Sequence, residues 1–454
     1  MIRRVYPILI LSVLTASPCL AADPPASDAL ARYVAKKDES YGWVKRREGV
    51  IGETKYAELV LTSQTWRGVK WKHLLFVLRP KSAAPDTKHA LLNIAGGSWK
   101  ARYDEPAGDD DSLPREAPIF AALAEQLKTP IAVLLHVPHQ PLFDGKYEDA
   151  IIAYTFQQFM KTGDVEWPLL LPMTKSAVRA MDALQEIAKK EWSLDIKTFT
   201  VTGASKRGWT TWLTGAVDRR AIAIAPMVID VLNMAPQMEH QLATWGNYSG
   251  QIDDYTKIGL QDQLKSKKGV KLCAIVDPYS YRDRLTQPKL IIIGTNDEYW
   301  PLDALSLYWN DLKGEKYILY VPNNGHGIKD YSRVIGSLNA LHQQAARGEP
   351  LPKLSWEFEE GNATFWLRVK SDKKPKEVRI WSASSPTRDF RKARWEFVAA
   401  KAKGDKYVGA QQFPESGYLA VFAEAVYQLD GIPYFLSTNV KIVKSPAEAS
   451  DSGK

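Results

Sequence analysis

An α/β fold on a mostly parallel sheet, followed by a C-terminal β-sandwich, is what the sequence predicts, and three observations carry it. The β-type segments AELVLTSQTW, WKHLLFVLRP, HALLNIAGG and PIAVLLHVP come first. The later apolar segments TFTVTGAS, AIAIAPMVID, KLIIIGTND and KYILYVPNN then alternate with longer amphipathic stretches, the order expected of a parallel sheet with crossover helices. After RGEPLPKL, at 347–354, the pattern changes to short strands with alternating apolar positions, such as Phe365, Leu367 and Val369. This last run covers roughly 90 residues, near the size of an immunoglobulin-like module.

At 454 residues the chain exceeds the ~250–300 at which single cores stop growing, so one large domain with a smaller companion is expected. The hydrophobic share of 45% and charged share of 25% belong to a globular chain and exclude disorder as an overall reading.

The elements follow in order. At the N-terminus Arg3 and Arg4 precede an apolar run from Val5 to about Leu14 and small residues ending at Ala21 and Ala22. This is the pattern of a signal peptide, over 1–22, and is too short and wrongly flanked for a membrane span. It predicts an exported protein, periplasmic or secreted. Cys19 raises a lipoprotein alternative, but Pro18 before it fits a small-residue lipobox poorly. Loss of the signal leaves Cys273 as the one cysteine of the mature chain, which excludes an intrachain disulfide and a cysteine-based zinc site.

The main domain is expected over 23–350. Within it, residues 175–190 place Val178, Met181, Leu184, Ile187 and Ala188 at helical spacing, with charged residues between them. A long insertion at about 233–288, containing Trp245, Tyr248 and Tyr255, is expected to cap the strand ends. The sandwich follows at 351–444, and residues 445–454 read as a disordered tail. The formal charge of +8 is spread through mixed runs such as KSDKKPKE. It reads as a solvated surface, with an acidic envelope or polysaccharide ligand as the alternative, and no basic tract argues for nucleic acid.

The chemistry centres on GASKRG, where Ser205 lies between Gly203 and Gly208. A strand that ends in a sharp turn before a helix lifts a hydroxyl above the sheet, near the favourable helix N-terminus. The motif is G-x-S-x-x-G, one residue longer than the usual nucleophile motif. A nucleophilic serine needs a base, and the base an orienting acid. The α/β-hydrolase fold sets the chain order serine, acid, histidine. Asp297 ends KLIIIGTNDEYWP and His326 follows KYILYVPNNGHG, so all three stand at strand ends in that order. Glu298, Asp303 and Asp230 are competing acids.

An oxyanion hole needs convergent backbone N–H groups. Lys206 is expected to supply one, and Gly97 or Ser98 of NIAGGSW the other. Arg207 has two readings, holding a substrate carboxylate or bracing the turn through an ion pair. Trp99 and Trp245 are further candidate substrate contacts. His136 and His139 form an H-x-x-H without acidic or cysteine partners, a weak metal signal. No G-x-G-x-x-G follows the first strand, so no dinucleotide cofactor is expected.

The blocks GASKRGWTTWLTGAVD, IVDPYSYRDRL, PKLIIIGTNDEYWPLDA and YVPNNGHG together resemble the PhoPQ-activated pathogenicity-related protein family, bacterial exported proteins with an α/β-hydrolase fold. The resemblance covers most of the mature chain. It implies an envelope or secreted location and a catalytic serine, aspartate and histidine at Ser205, Asp297 and His326. The G-x-S-x-x-G spacing is also similar to that of glucuronoyl esterases. The expectation is a cofactor-independent serine hydrolase, with a carboxylic ester favoured over a peptide. The alternatives are a serine peptidase and a binding or host-interaction protein on a hydrolase scaffold, since fold does not secure function.

Overall fold

The computed structural model describes residues 28–108 and 111–446; the expected signal peptide, Cys19 and residues 447–454 of the expected tail lie outside them. The chain is built around a mixed sheet. Helix α1 (Ala29–Ala35) and three antiparallel strands, β1 (Gly42–Ile51), β2 (Thr54–Trp66) and β3 (Val69–Arg79), lead into it. Then β4 (His89–Ile94), β5 (Ile131–Leu134), β6 (Thr198–Ala204), β7 (Ala221–Met227), β8 (Lys289–Gly294) and β9 (Lys316–Val321) run parallel to one another, in the spatial order β5-β4-β6-β7-β8-β9, with β3 antiparallel on β5. All six residues of β8 are buried, as a parallel strand covered on both faces requires.

Side-chain alternation divides this sheet between two cores. Leu92 and Ile94 of β4 face one core with Met181 and Leu184 of α4 (Leu170–Trp192) and Trp212 of α5 (Lys206–Val217). Leu91 of β4 faces the other, with Ala121 of α2 (Ala117–Leu127) and Leu338 of α10 (Tyr331–Arg347). The apolar spacing read from residues 175–190 thus falls on α4, the longest helix described. Two of the flanking helices end on glycine. Gly163 closes α3 (Glu148–Thr162) at φ 78 and Gly348 closes α10 at φ 68, the left-handed cap that glycine adopts without strain.

Between β7 and β8 the insertion forms α6 (Met234–Trp245), the short turns α7 (Asp253–Thr256) and α8 (Leu260–Gln263), and α9 (Lys267–Val276). Beyond α10 come β10 (Leu354–Glu360), β11 (Thr364–Ser371), β12 (Glu377–Ser385), β13 (Glu396–Ala399), β14 (Lys401–Lys403), β15 (Lys406–Gln412), β16 (Tyr418–Leu429), β17 (Ile432–Ser437) and β18 (Lys441–Lys444).

Two sheets arise from these strands, and only one is separate. The order β10-β11-β15-β14 forms a four-stranded sheet, while β17-β16-β12-β13 continues the main sheet through an antiparallel pair at Ile318 and Ser437. Phe365, Leu367 and Val369 of β11 share one buried core with Ile380 of β12 and Val421 of β16, and a Cβ on Gly409 of β15 would collide with Ile380. The change of pattern at residue 350 therefore marks a change of strand type within continuous packing. Helix α10 reinforces the join, because the Ser337 hydroxyl donates to the Phe435 carbonyl at 3.0 Å and accepts from the Phe435 N–H at 3.0 Å.

The two-faced burial makes a stability prediction. Leu92→Ala, at a wholly buried sheet position, is expected to cost about 2–5 kcal/mol. Ile119→Ala, 56% exposed on α2, should cost no more than about 0.5 kcal/mol. Urea unfolding of both variants checks this, and equal costs would contradict the layer assignment.

Candidate active site

Ser205 stands between β6 and α5 with φ 58 and ψ −125, a backbone conformation that non-glycine residues rarely adopt. Its N–H donates to the Met227 carbonyl of β7 at 2.9 Å, and its own carbonyl accepts the Trp209 N–H at 3.0 Å. The flanking glycines are required by close approach. A Cβ on Gly203 would sit 2.8 Å from the Arg207 carbonyl, and one on Gly208 would sit 2.7 Å from Ile229 and 2.8 Å from the Met227 carbonyl. The motif's extra residue therefore still leaves a tight crossing of strand and helix.

Sheet order brings the other residues to this turn. His326, beyond β9, has Nε2 2.9 Å from Ser205 Oγ, and its Nδ1 lies 3.0 and 3.2 Å from the two Asp297 oxygens beyond β8. The Asp297 side chain is 4% exposed and that of His326 19%. Asp297 also accepts the Tyr299 N–H at 2.8 Å, and the Tyr299 ring stacks on His326 at 4.0 Å. Such a chain of hydrogen bonds can draw a proton from the serine and hold the resulting imidazolium in place.

Among the described residues, none of the competing acids bonds the His326 ring. Glu298 accepts the His326 backbone N–H at 2.9 Å. Asp303 bonds His240 at 2.7 Å and Arg388 at 2.5 Å. Asp230 is buried, and burial, with smaller contributions from the Asp297 and Asp303 charges, pushes its carboxyl up to about 7 against the Tyr308 hydroxyl.

The loop after β4 lies beside the serine because Ile94 pairs with Gly203 in the sheet. Gly97 has φ 115, and a Cβ there would stand 2.7 Å from His136 Nδ1. Among the described residues, neither the Gly97 nor the Ser98 N–H donates to another protein group. Lys206 is the first residue of α5, and its N–H precedes the intrahelical bonds. The loop comes nearest the serine turn at Gly96, where a Cβ would collide with the Arg207 guanidinium. The Lys206 ammonium itself reaches Asp149 at 2.6 Å, and Asp149 also accepts from the Tyr255 hydroxyl at 2.8 Å.

Of Arg207's two readings, the geometry carries the brace. Its guanidinium forms a two-pronged pair with Glu148 at 2.8 and 2.6 Å, and its Nε donates to the Val137 carbonyl. Burial acts to raise the Glu148 carboxyl, but the Arg207 bonds and charge win and hold it below its ordinary range. Gln140 extends the brace, donating to Glu148 at 2.8 Å and to the Gly97 carbonyl at 3.0 Å. The serine turn and the glycine loop are tied together in this way.

A cavity of about 60 Å³ opens at Ser205 and His326. Its walls are mostly apolar, with Ile229 and Val231 after β7, Met234 and Met238 of α6, Ile252 and Trp300 among them, while Lys206 and Asp149, paired with each other, and Gln261 also line it. Trp99 and Trp245 are not among its lining residues. Trp99 instead packs on Tyr103 at 5.4 Å and His139 at 6.0 Å, and Trp245 lies under the Arg391 guanidinium at 4.2 Å. His136 stacks on Tyr103 at 5.2 Å, and burial, then the His139 and Lys100 charges, lowers it to about 4. Among the described residues no group of three or more His, Cys, Asp or Glu side chains could hold a metal ion, and no helix is long and apolar enough to cross a membrane.

The profile of the family described as PhoPQ-activated pathogenicity-related protein matches residues 30–391. The chain is 35% identical over 390 residues to autocrine proliferation repressor protein A of Dictyostelium discoideum, covering 80% of this chain and 76% of that one. Among solved structures, acetyl xylan esterase from Paenibacillus sp. R4 aligns with TM-score 0.47 and 13% identity over 67% of this chain and 89% of its own. Glucuronoyl esterase from Solibacter usitatus aligns with TM-score 0.39 and 11% identity over 71% and 92%.

The buried Asp230 carboxyl has a measurable consequence. Folded, it keeps its proton up to about pH 7, whereas the unfolded chain releases it near ~4. Its contribution to stability is therefore full below the unfolded value and is lost as pH rises through 7. Asp230→Asn should gain stability relative to the parent protein between pH 5 and pH 8. Thermal unfolding at the two values checks this; an unchanged difference would contradict it.

Proposed function

This chain belongs to the PhoPQ-activated pathogenicity-related protein family, and from that premise we propose that it is an exported serine hydrolase of the α/β-hydrolase type that cleaves carboxylic esters of small apolar acyl groups. The observation that carries the reading is the linear chain from Ser205 Oγ through His326 to Asp297, with contacts of 2.9 and 3.0 Å. His326 Nε2 takes the hydroxyl proton as Ser205 Oγ attacks the ester carbonyl, and Asp297 holds the imidazolium. The carbonyl oxygen gains the negative charge, against the N–H groups of Lys206 and of Gly97 or Ser98. His326 then returns the proton to the departing alcohol, leaving an acyl-serine. A water attacks in the second half-reaction, His326 again relays the proton, and the carboxylic acid leaves with Ser205 restored.

The apolar cavity wall supports an aliphatic acyl group in place of a peptide terminus, which would need a charged partner. Arg207 is spent on Glu148 and Lys206 on Asp149. The plan of the chain belongs to the same proposal, with a signal peptide at 1–22 directing export, a catalytic part at 23–350 capped by 233–288, and sandwich strands at 351–444 that continue its sheet. A second reading, a secreted regulator on a hydrolase scaffold, draws support from the Dictyostelium relative named for repressing proliferation.

Ser205→Ala separates the two. The hydrolase reading expects turnover of p-nitrophenyl acetate to fall at least ~10³-fold and fluorophosphonate labelling to vanish; a folded parent protein that is never labelled would overturn it. Within that reading, Met238→Trp narrows the cavity and should lower kcat/KM for butyrate relative to acetate esters by about tenfold. Unchanged selectivity would remove the acyl group from this cavity.

A further inference from the structure

We propose that Asn296 and Asn323 are positioning residues through which the C-terminal strands hold the acid and histidine loops in register; the inference rests on the hydrolase reading above. The loop from 386 to 395, between β12 and β13, reaches back to both of those loops. Asn296, the residue before Asp297, donates from Nδ2 to the carbonyls of Ala393 at 2.7 Å, Phe390 at 3.2 Å and Arg391 at 3.3 Å. Asn323, three residues before His326, makes a reciprocal pair with the backbone of Trp395. The Trp395 N–H donates to its Oδ1 at 2.8 Å, and its Nδ2 donates to the Trp395 carbonyl at 3.0 Å.

The same two residues belong to a cross-link between the triad loops, Asn296 through its side chain and backbone and Asn323 through its backbone N–H. The Thr295 hydroxyl donates to Asn296 Oδ1 at 2.8 Å and accepts the Asn323 N–H at 2.9 Å, while the Asn296 N–H donates to the Asn324 carbonyl at 2.9 Å. Asn323 has φ 58, a conformation in which asparagine is among the tolerated residues. Gly294 lets the loops close on each other, since a Cβ there would strike the carbonyls of Asn324 and Gly325.

The far end of the anchor is rigid. Phe390 and Trp395 are each 2% exposed, and Trp395 packs on Phe422 of β16 at 5.2 Å. The 386–395 loop is thus a wedge fixed in the C-terminal core, offering four carbonyls and one N–H to two carboxamides. The separation of Asp297, His326 and Ser205 is set by three different loops, and catalytic geometry tolerates little slack, a 1 Å error costing about 10²-fold. An anchor shared by two of the three loops therefore acts on the histidine without touching substrate.

The test compares Asn296→Ala and Asn323→Ala with Leu367→Ala, which removes a buried side chain of β11 remote from the wedge. All are assayed on p-nitrophenyl acetate in the full mature chain, well below their unfolding temperatures. Both asparagine variants should lose about tenfold or more in kcat with KM within about twofold. Leu367→Ala should keep kcat within about twofold while lowering the unfolding temperature at least as far. Hydrogen exchange at 295–299 and 322–327 should quicken in the asparagine variants alone. Undiminished kcat in both asparagine variants, or a kcat loss in Leu367→Ala matching its loss of stability, overturns the proposal. A parent protein that fluorophosphonate does not label overturns the hydrolase reading and this inference together; a labelled parent with unaltered asparagine variants overturns this inference alone.

Discussion

The crossing of β6 and α5 at Gly203 and Gly208 is the constraint on which the rest of the site depends. The absence of side chains at these two positions permits the close approach of strand end and helix start, and Ser205 between them takes up φ 58. That strain lifts the hydroxyl out of the sheet, and bonds to β7 and to the first turn of α5 hold it there. Every other part of the site is arranged around a hydroxyl whose position is already set.

Two braces hold the loops around that hydroxyl. In one, Arg207, Glu148 and Gln140 tie the serine turn to the glycine loop after β4. A half-buried pair of this kind is a poor source of stability in itself, but removing one partner would leave a charge without compensation. Its value is geometric, because it fixes the loop that is expected to meet the oxyanion. In the other, the C-terminal wedge meets the acid and histidine loops through Asn296 and Asn323. The continuity of β17 with β9 makes that wedge part of the same rigid frame, so the C-terminal strands are structurally inseparable from the site.

The parts of the site differ in how visibly they were written in the chain. Ser205, Asp297 and His326 each follow an apolar strand, and strand ends are legible because β-branched runs stop abruptly at Gly, Asn or Asp. Glu148 was hidden, since GKYEDA reads as a solvated helix start until a buried Arg207 is found opposite it. Asn296 and Asn323 look like ordinary turn residues. Met234, Met238 and Ile252 look like core, because an apolar side chain facing a cavity carries the same signature as one facing a neighbour. Trp99 and Trp245 stood out by size, yet their rings are taken up by Tyr103 and Arg391.

By itself the sequence determined what is local and periodic: the apolar strands from AELVLTSQTW onward and their later alternation with helices, the glycine-flanked serine turn, and the chain order of serine, acid and histidine. These follow from backbone sterics and from the alternation of apolar residues, which act over a few positions. Only the tertiary structure decided which acid faces His326, that Arg207 spends its guanidinium on Glu148, and that the C-terminal strands extend the main sheet. Those outcomes depend on which distant loops meet and on which charges remain unpaired after burial. No window of neighbouring residues contains that information.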